Sequence, residues 1–453
     1  MFFKKEINRG MGNVCFLPAL FFAVMTILIS GCSFAEIQHD KLHKAEDPTV
    51  FNTDGGWCWY QDERAVIDGG TLLFGGVTSA GDITITGYNL ESGESKVVVL
   101  HEELQADDHN VPTILVRPDG RYVASYTRHN SDQYMRYRIS KEPGSIAEWG
   151  PEKRVDVGGR ACYSNVYYLK DEDVVYNFHR GRDWDPNYLI SDDQGETWEY
   201  GGKLMEFSGH RPYVRYASDN RDTIHFVTTE GHPRDYANSI YHGFIKDGAV
   251  HRSDGTTVGK LSETSTTPIR PDDLTRVLKG DKDNVGWTSS IVLDENEYPV
   301  IGYSVTKDRI RPGSGGFDHR YRYARWNGVE WIDHEIAYAG SRLYEGEDAY
   351  TGLISLNPGN PNMVYISSDV HPETGEPLIS QATGKRQYEI FQGITDDNGN
   401  SWNWEQVTEN SEVDNIRPVI VSQNGKRVLL WLRGEYRTFT DYNLEVVGFV
   451  TES

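Results

Sequence analysis

Ser191-Asp192-Asp193-Gln194-Gly195-Glu196-Thr197-Trp198 is the stretch whose reading decides the fold. Asp and Gly suit a tight β-turn, and the tryptophan that follows can pack back on the strands the turn joins. Such an Asp-box belongs between the third and fourth strands of a small antiparallel sheet. Thr395-Asp396-Asp397-Asn398-Gly399-Asn400-Ser401-Trp402 is a second copy. Two copies at equivalent places predict a repeated unit rather than an open sandwich.

From about residue 53 onward the chain reads as short strands. Runs such as Thr71–Val77, Ile83–Tyr88, Ser95–Leu100, Thr113–Val116 and Tyr122–Thr127 are bounded by Gly, Asp, Asn or Pro. Polar or aromatic openings recur near Trp57, His109, Tyr163, Arg211, Trp287, Tyr350 and Arg417. Counting them predicts an all-β, seven-bladed β-propeller with four-stranded antiparallel blades. The long interval from 211 to 287 leaves six or eight blades open. Pro268–Gly280 reads as a short helical insertion. Leu444–Val450 is expected to complete a blade with a first strand near residues 50–54, which removes exposed sheet edges.

Composition agrees. The 453 residues include 45 glycines and 12% aromatics, as short strands and tight turns require. A formal charge of −23 argues against general nucleic-acid binding. An acidic polysaccharide would then need a local basic site.

Lys4, Lys5 and Arg9 precede the apolar run from Cys15 to Ser30, as in an export segment too short for a stable membrane span. Ile29-Ser30-Gly31-Cys32 resembles a bacterial lipoprotein processing site with Cys32 as the lipidated residue, and cleavage after Ser33-Phe34-Ala35 is the rival. The expected organisation is an export segment at 1–35, a polar tether at 36–50 and one propeller at 51–453. The protein is expected to be exported, either as an outer-membrane lipoprotein or secreted, and monomeric. Cys58 and Cys162 are then the mature protein's thiols, and they are open to one bridge or to two inert buried positions.

In a propeller, starts of first strands and ends of second strands collect around one mouth. That rule gathers His109, Asn110, Arg128 and His129 from one blade, and Arg160, Tyr163, His179, Arg180 and Arg182 from the next. A further blade adds His210, Arg211, His232 and Arg234, and Tyr188 starts a third strand on the same side. A lone His or Arg here is usually a loop or packing residue, but this convergence supplies the basic site that the net charge lacks.

β-Elimination beside a uronic acid suits such a set. A cation neutralises the carboxylate and eases loss of the C5 proton. A His or Tyr base takes that proton, and a Tyr or His acid protonates the leaving oxygen. No cofactor is needed for this chemistry. A sialidase-like hydrolase is the alternative, with Arg211 and Arg417 imitating two members of an arginine triad and Asp62, Glu63 and Arg64 supplying other groups. A noncatalytic glycan-binding propeller is a further alternative.

Trp57-Cys58-Trp59-Tyr60-Gln61 through Arg64, His109-Asn110-Val111-Pro112, Arg128-His129-Asn130 and Gly209-His210-Arg211-Pro212-Tyr213 resemble the BNR-repeat polysaccharide lyases. The resemblance is nearest to ulvan lyases of the seven-bladed propeller type. It implies endolytic cleavage of ulvan, a sulfated rhamnose–uronic acid polymer, before glucuronic or iduronic acid, leaving an unsaturated uronyl end. By similarity the catalytic residues are His109, His129, Tyr188 and Arg211, with Tyr163 and Arg180 as rivals for the last two. His109 and Tyr188 would serve as base and acid in either order. Asn110, Arg128, Arg160, Tyr163, Arg180, Arg182, His210, His232 and Arg234 are the implied substrate contacts, the partner being an anionic sulfated polysaccharide. The resemblance also admits a structural zinc. Cys162, His179, His225 and His242 are the available ligands if they converge, although their spacing matches no standard metal motif.

Overall fold

Short strands that are apolar on both faces must be covered on both faces. Radial stacking of sheets achieves this. The computed structural model describes residues 47–308 and 315–452. Its strands form seven antiparallel sheets, here blades I to VII. Their innermost strands are Ala65–Asp68, Thr113–Val116, Cys162–Leu169, Val214–Ser218, Val285–Leu293, Ile354–Leu356 and Asp414–Gln423. Each blade runs outward in chain order, except in blade IV, whose last strand pairs back on its third, and at the closure. There Thr49–Asn52 pairs with Asp441–Glu452, so the first strand completes the last blade. That strand begins inside the expected tether. The expected lipoprotein and signal segments lie outside the described residues.

Six blades have four strands, and blade IV has six. Its additions explain the long interval between the fourth and fifth openings. The expected helical insertion is a single 3-10 turn, Pro271–Asp273, followed by strand Thr275–Leu278, which pairs with Ile240–Lys246. Proline fixes the turn's first φ, and the β-branched residues after it favour pairing over a longer helix.

Apolar side chains fill the spaces between blades. Phe178 of blade III is fully buried and stacks on Tyr216 of blade IV at 4.5 Å. Burying such a ring contributes roughly 2–3 kcal/mol. Both Asp-boxes join third and fourth strands, in blades III and VI. Asp193 accepts hydrogen bonds from the Thr197 amide and hydroxyl at 2.8 and 2.6 Å. Gly195 takes φ +87, and an added Cβ would meet Val123 at 3.1 Å. Trp198 then packs edge-on against Tyr137 of blade II.

Candidate active site

The mouth is floored by aromatic residues. The segment after the first strand drives Trp59 and Tyr60 onto the axis, where they meet Tyr163, Tyr213, Trp287 and Tyr350. The indole of Trp59 donates to Thr288 O at 3.1 Å, and Gln61 Nε2 donates to His109 O at 2.6 Å. A cavity of about 230 Å³ on the other side of this plug is lined by Trp59, Glu63 and inner-strand residues of blades IV to VII. Glu63 faces that cavity, and burial beside Asp62 pushes its pKa up to about 7. Asp62 pairs with Arg215 at 2.6 Å and Arg64 at 3.4 Å.

His109 and His129 stack at 4.1 Å with planes 11° apart. Two like-charged imidazoles would repel, so their shared partner is informative. Asp107 accepts from His109 Nδ1 through Oδ1 at 2.8 Å and from His129 Nδ1 through Oδ2 at 2.7 Å. Asp108 approaches His109 Nδ1 at 2.9 Å and pairs with Arg417 at 2.5 Å. One carboxylate therefore orients both rings by Nδ1, leaving each Nε2 turned away from it.

Charge follows from this geometry. Burial opposes a proton on His109, yet Cys58, Asp107 and Asp108 outweigh it and hold its pKa well above the ordinary value. Burial likewise opposes a proton on His129, but Cys162 and Asp107 outweigh burial and the repulsion of His109, so its pKa is also raised. Burial pushes Asp107 up, and the two histidines pull it below the carboxylate range.

Tyr163 and Arg180 complete the cluster. Tyr163 adopts φ +67, and the strand register shifts between Cys162 and Asn165. This irregularity re-aims the side chain toward the mouth at a backbone cost of roughly 1–3 kcal/mol. Its ring lies 5.8 Å from that of His109. Arg180 sits 4.8 Å over the same ring, donates to Asn130 Oδ1 at 3.1 Å and lies 3.5 Å from His129 Nε2. Burial raises the Tyr163 phenol well above its usual value, partly offset by Arg180.

Tyr188 does not join them. The expectation erred because strand starts and side-chain direction are separate matters. Tyr188 lies within Pro186–Ser191, packs between Tyr176 and Phe178, and donates to Leu261 O at 3.2 Å. It is interblade packing. Arg211 is on the rim, 3.9 Å from Asp235 and outside contact with the histidine pair. The rivals Tyr163 and Arg180 hold the central places.

Trp184 gathers three guanidinium groups: those of Arg160, Arg180 and Arg211 lie 6.0, 5.6 and 5.9 Å from its ring centre. Asn110 is scaffold, accepting from the His129 amide at 2.7 Å. Arg128 is exposed at the rim. Arg182 turns away, donating to Val157 O and lying over Tyr200. His210 packs against Phe207 and Tyr236. His232 is buried against Trp287, and burial followed by Arg234 and Arg211 keeps it well below the usual imidazole value. Arg234 pairs with Glu347 at 2.7 Å.

The expected zinc set does not converge. His225 Nδ1 and His242 Nε2 approach to 3.2 Å within blade IV, while His179 meets Asn177 O and Cys162 lies beside His129 in the mouth. Among the described residues, three-ligand groups form only at Cys58–Asp108–His109 and Asp107–His109–His129. Their imidazole Nδ1 atoms already hydrogen-bond carboxylates, so the donor set fits an ion-pair network better than a zinc site. Cys58 and Cys162 are free and buried.

The hydrolase arrangement is not assembled either. Arg417 is wholly buried, bound to Asp108, Tyr436 and Trp57 O, and lies apart from Arg211 on the rim. Asp107, Asp108, Tyr213, Trp184 and Glu347 are the site residues that strand-end reasoning missed. The adjacent acids directly before His109 were the available signal. Glu347, reaching across from a long loop, had none.

Seven radially stacked antiparallel sheets around a basic, aromatic-floored mouth, two of them carrying Asp-boxes, define a β-propeller of the BNR-repeat class. The model of the BNR repeat-containing family matches residues 58–339, more than half of the chain, and the chain belongs to that family. No curated protein matches. Among solved structures, a PL25 ulvan lyase bound to -[GlcA(1-4)Rha3S]- superposes with a TM-score of 0.62 at 15% identity, covering 88% of this chain and 95% of that one. A second structure of a PL25 ulvan lyase gives 0.63 at 15% identity, with the same coverage. The polysaccharide lyase Uly1 gives 0.58 at 12% identity, covering 93% and 94%. At these identities the likeness establishes the seven-bladed fold.

Proposed function

We propose that the protein is an endolytic polysaccharide lyase that cleaves an ulvan-type sulfated uronate polymer by β-elimination. The observation that carries this reading is the His109–His129 stack held by one carboxylate and faced by Tyr163 and Arg180. Arg180 pairs with the uronate carboxylate and makes the C5 proton more acidic. His129, the more exposed of the two imidazoles, takes that proton through Nε2, and Asp107 steadies the imidazolium through Nδ1. The C5–H electrons form the C4=C5 double bond as the C4–O bond breaks. Tyr163, kept neutral by burial, gives its proton to the departing oxygen. His109 fixes the ring stack and adds positive charge near the carboxylate.

The guanidinium groups around Trp184 would contact sulfate or further uronates along the chain. The test is incubation with ulvan without added metal, followed near 235 nm, where the unsaturated uronyl product absorbs. New reducing ends without that absorbance would instead indicate a hydrolase, and binding without new ends a glycan-binding module. We also propose export through the N-terminal segment with lipid on Cys32. Mass spectrometry of the mature N-terminus tests this.

A further inference from the structure

Blades V and VI enclose a second cleft, of about 860 Å³, on the face opposite the mouth. Its position follows from connectivity. The cleft is lined by the turn after the first strand of each blade and by turns joining third to fourth strands, and both kinds of turn fall on that face. It shares no lining residue with the histidine cluster.

Its chemistry is distinctive. Six carboxamides line it: Asn296, Asn327, Asn360, Asn362, Asn398 and Asn400. Asn362 Oδ1 is buried and has no hydrogen-bond partner among the described residues, an unfavourable state that a donor from a ligand would relieve. Asn327 uses Oδ1 to accept from the Val329 and Glu330 amides, which leaves its Nδ2 available. Tyr298 is 39% exposed, and its hydroxyl lies over Gly328, where an added Cβ would come within 3.0 Å. An exposed ring beside several carboxamides can stack on the C–H face of a pyranose while the amides pair with its hydroxyls.

The charges select against an anion. The one arginine in the cleft, Arg325, donates to Asn398 Oδ1 at 2.6 Å and faces Asp294 at 3.8 Å. Asp397 is committed to its own turn, accepting from Ser401 and Thr395. Glu295 adds negative charge at the rim. A sulfated or carboxylated residue would therefore meet neutralised arginine and uncompensated acid.

We infer that this cleft is a second carbohydrate site, specific for uncharged pyranosides and separate from the mouth. The inference stands whether or not the mouth is a lyase site. Titration of the full chain with xylotetraose, cellotetraose and L-rhamnose, monitored by saturation-transfer NMR and calorimetry, tests it. Saturable binding by at least one is expected, weakened about tenfold in Tyr298→Ala, the loss of one ring contact. Asn327→Ala should weaken it too, and both variants should keep wild-type turnover of short ulvan fragments. Tyr298 is exposed, so a folding defect there is not expected, and far-UV circular dichroism checks it. No saturable binding by any of the three sugars would overturn the proposal. So would binding unchanged in both variants, or binding lost in Arg180→Ala, which would put the sugar in the mouth.

Discussion

Blades III and VI carry the same turn and do different things. In each an aspartate caps the Asp-box, Asp193 accepting from Thr197 and Asp397 from Ser401. Each inner strand is entered through a residue at positive φ, Tyr163 at +67 and Leu353 at +77. Blade III thereby presents a phenol to the mouth, and its second strand ends at Arg180. Blade VI instead sets an isobutyl group into the axial plug, where Leu353 also lines the cavity beneath it, and its second strand ends at Ser368, beside an Asp369 already paired with Arg386 at 2.7 Å. The repeat fixes where side chains arrive, and one or two identities at those positions decide whether a blade does chemistry.

The largest expected effect breaks this pair apart. Tyr163→Phe removes only the proton donor and should lower kcat by about 10³, the scale of general acid catalysis. Leu353→Ala should leave kcat within a few-fold and cost roughly 2–4 kcal/mol in stability, because it opens a gap in the axial plug. Steady-state assays at 235 nm and urea melts separate the two outcomes. Equal loss of kcat in both would mean that the plug, not the phenol, governs turnover.

Arg180→Lys comes next. Lysine keeps the charge but loses the planar fork and the stacking on Tyr163. A fall of about 10² in kcat/KM is expected, in line with loss of one charge-stabilising donor. The corresponding Ser368→Ala in blade VI should leave kcat/KM unchanged.

Asp107→Asn tests electrostatics rather than presence or absence. The base form of His129 exists only above its pKa, so activity should rise with pH through a limb lying above the ordinary imidazole value of 6.5. Asparagine removes a carboxylate that raises this pKa, so the acidic limb should move to lower pH while kcat at its plateau falls. An unmoved limb would show that the titrating group is not held by Asp107.

The fold was readable because both Asp-boxes and the spacing of blade openings are local signals, set by turn chemistry and period-two strands. The closure by Thr49–Asn52 followed from the same logic. The mouth was readable only to the level of the blade. His109 and His129 are placed by strand ends, whereas Tyr188 and Tyr163 both occupy blade III and are told apart by side-chain direction. A register shift at Cys162–Asn165 and a positive φ turn Tyr163 inward, and neither is visible as a sequence period. The cysteine and histidine set read as zinc ligands dispersed for the same reason, since residues in adjacent strands can point to different faces.

The smallest effect concerns the Asp-box tryptophans. Trp198 is 8% exposed and wedged against Tyr137 of the neighbouring blade. Trp402 is only half-buried, meeting Tyr323 at 5.2 Å and Trp404 at 5.8 Å. Removing the more buried ring leaves the larger void, so Trp198→Ala should cost roughly 3–4 kcal/mol and Trp402→Ala roughly 1–2 kcal/mol. Neither should change the pH dependence of turnover, because each box lies on the face opposite the mouth. If Trp198→Ala shifted the acidic limb, blade III would be transmitting its packing to the His129 environment, and the separation between what builds the blade and what does the chemistry would fail in the one blade where both occur.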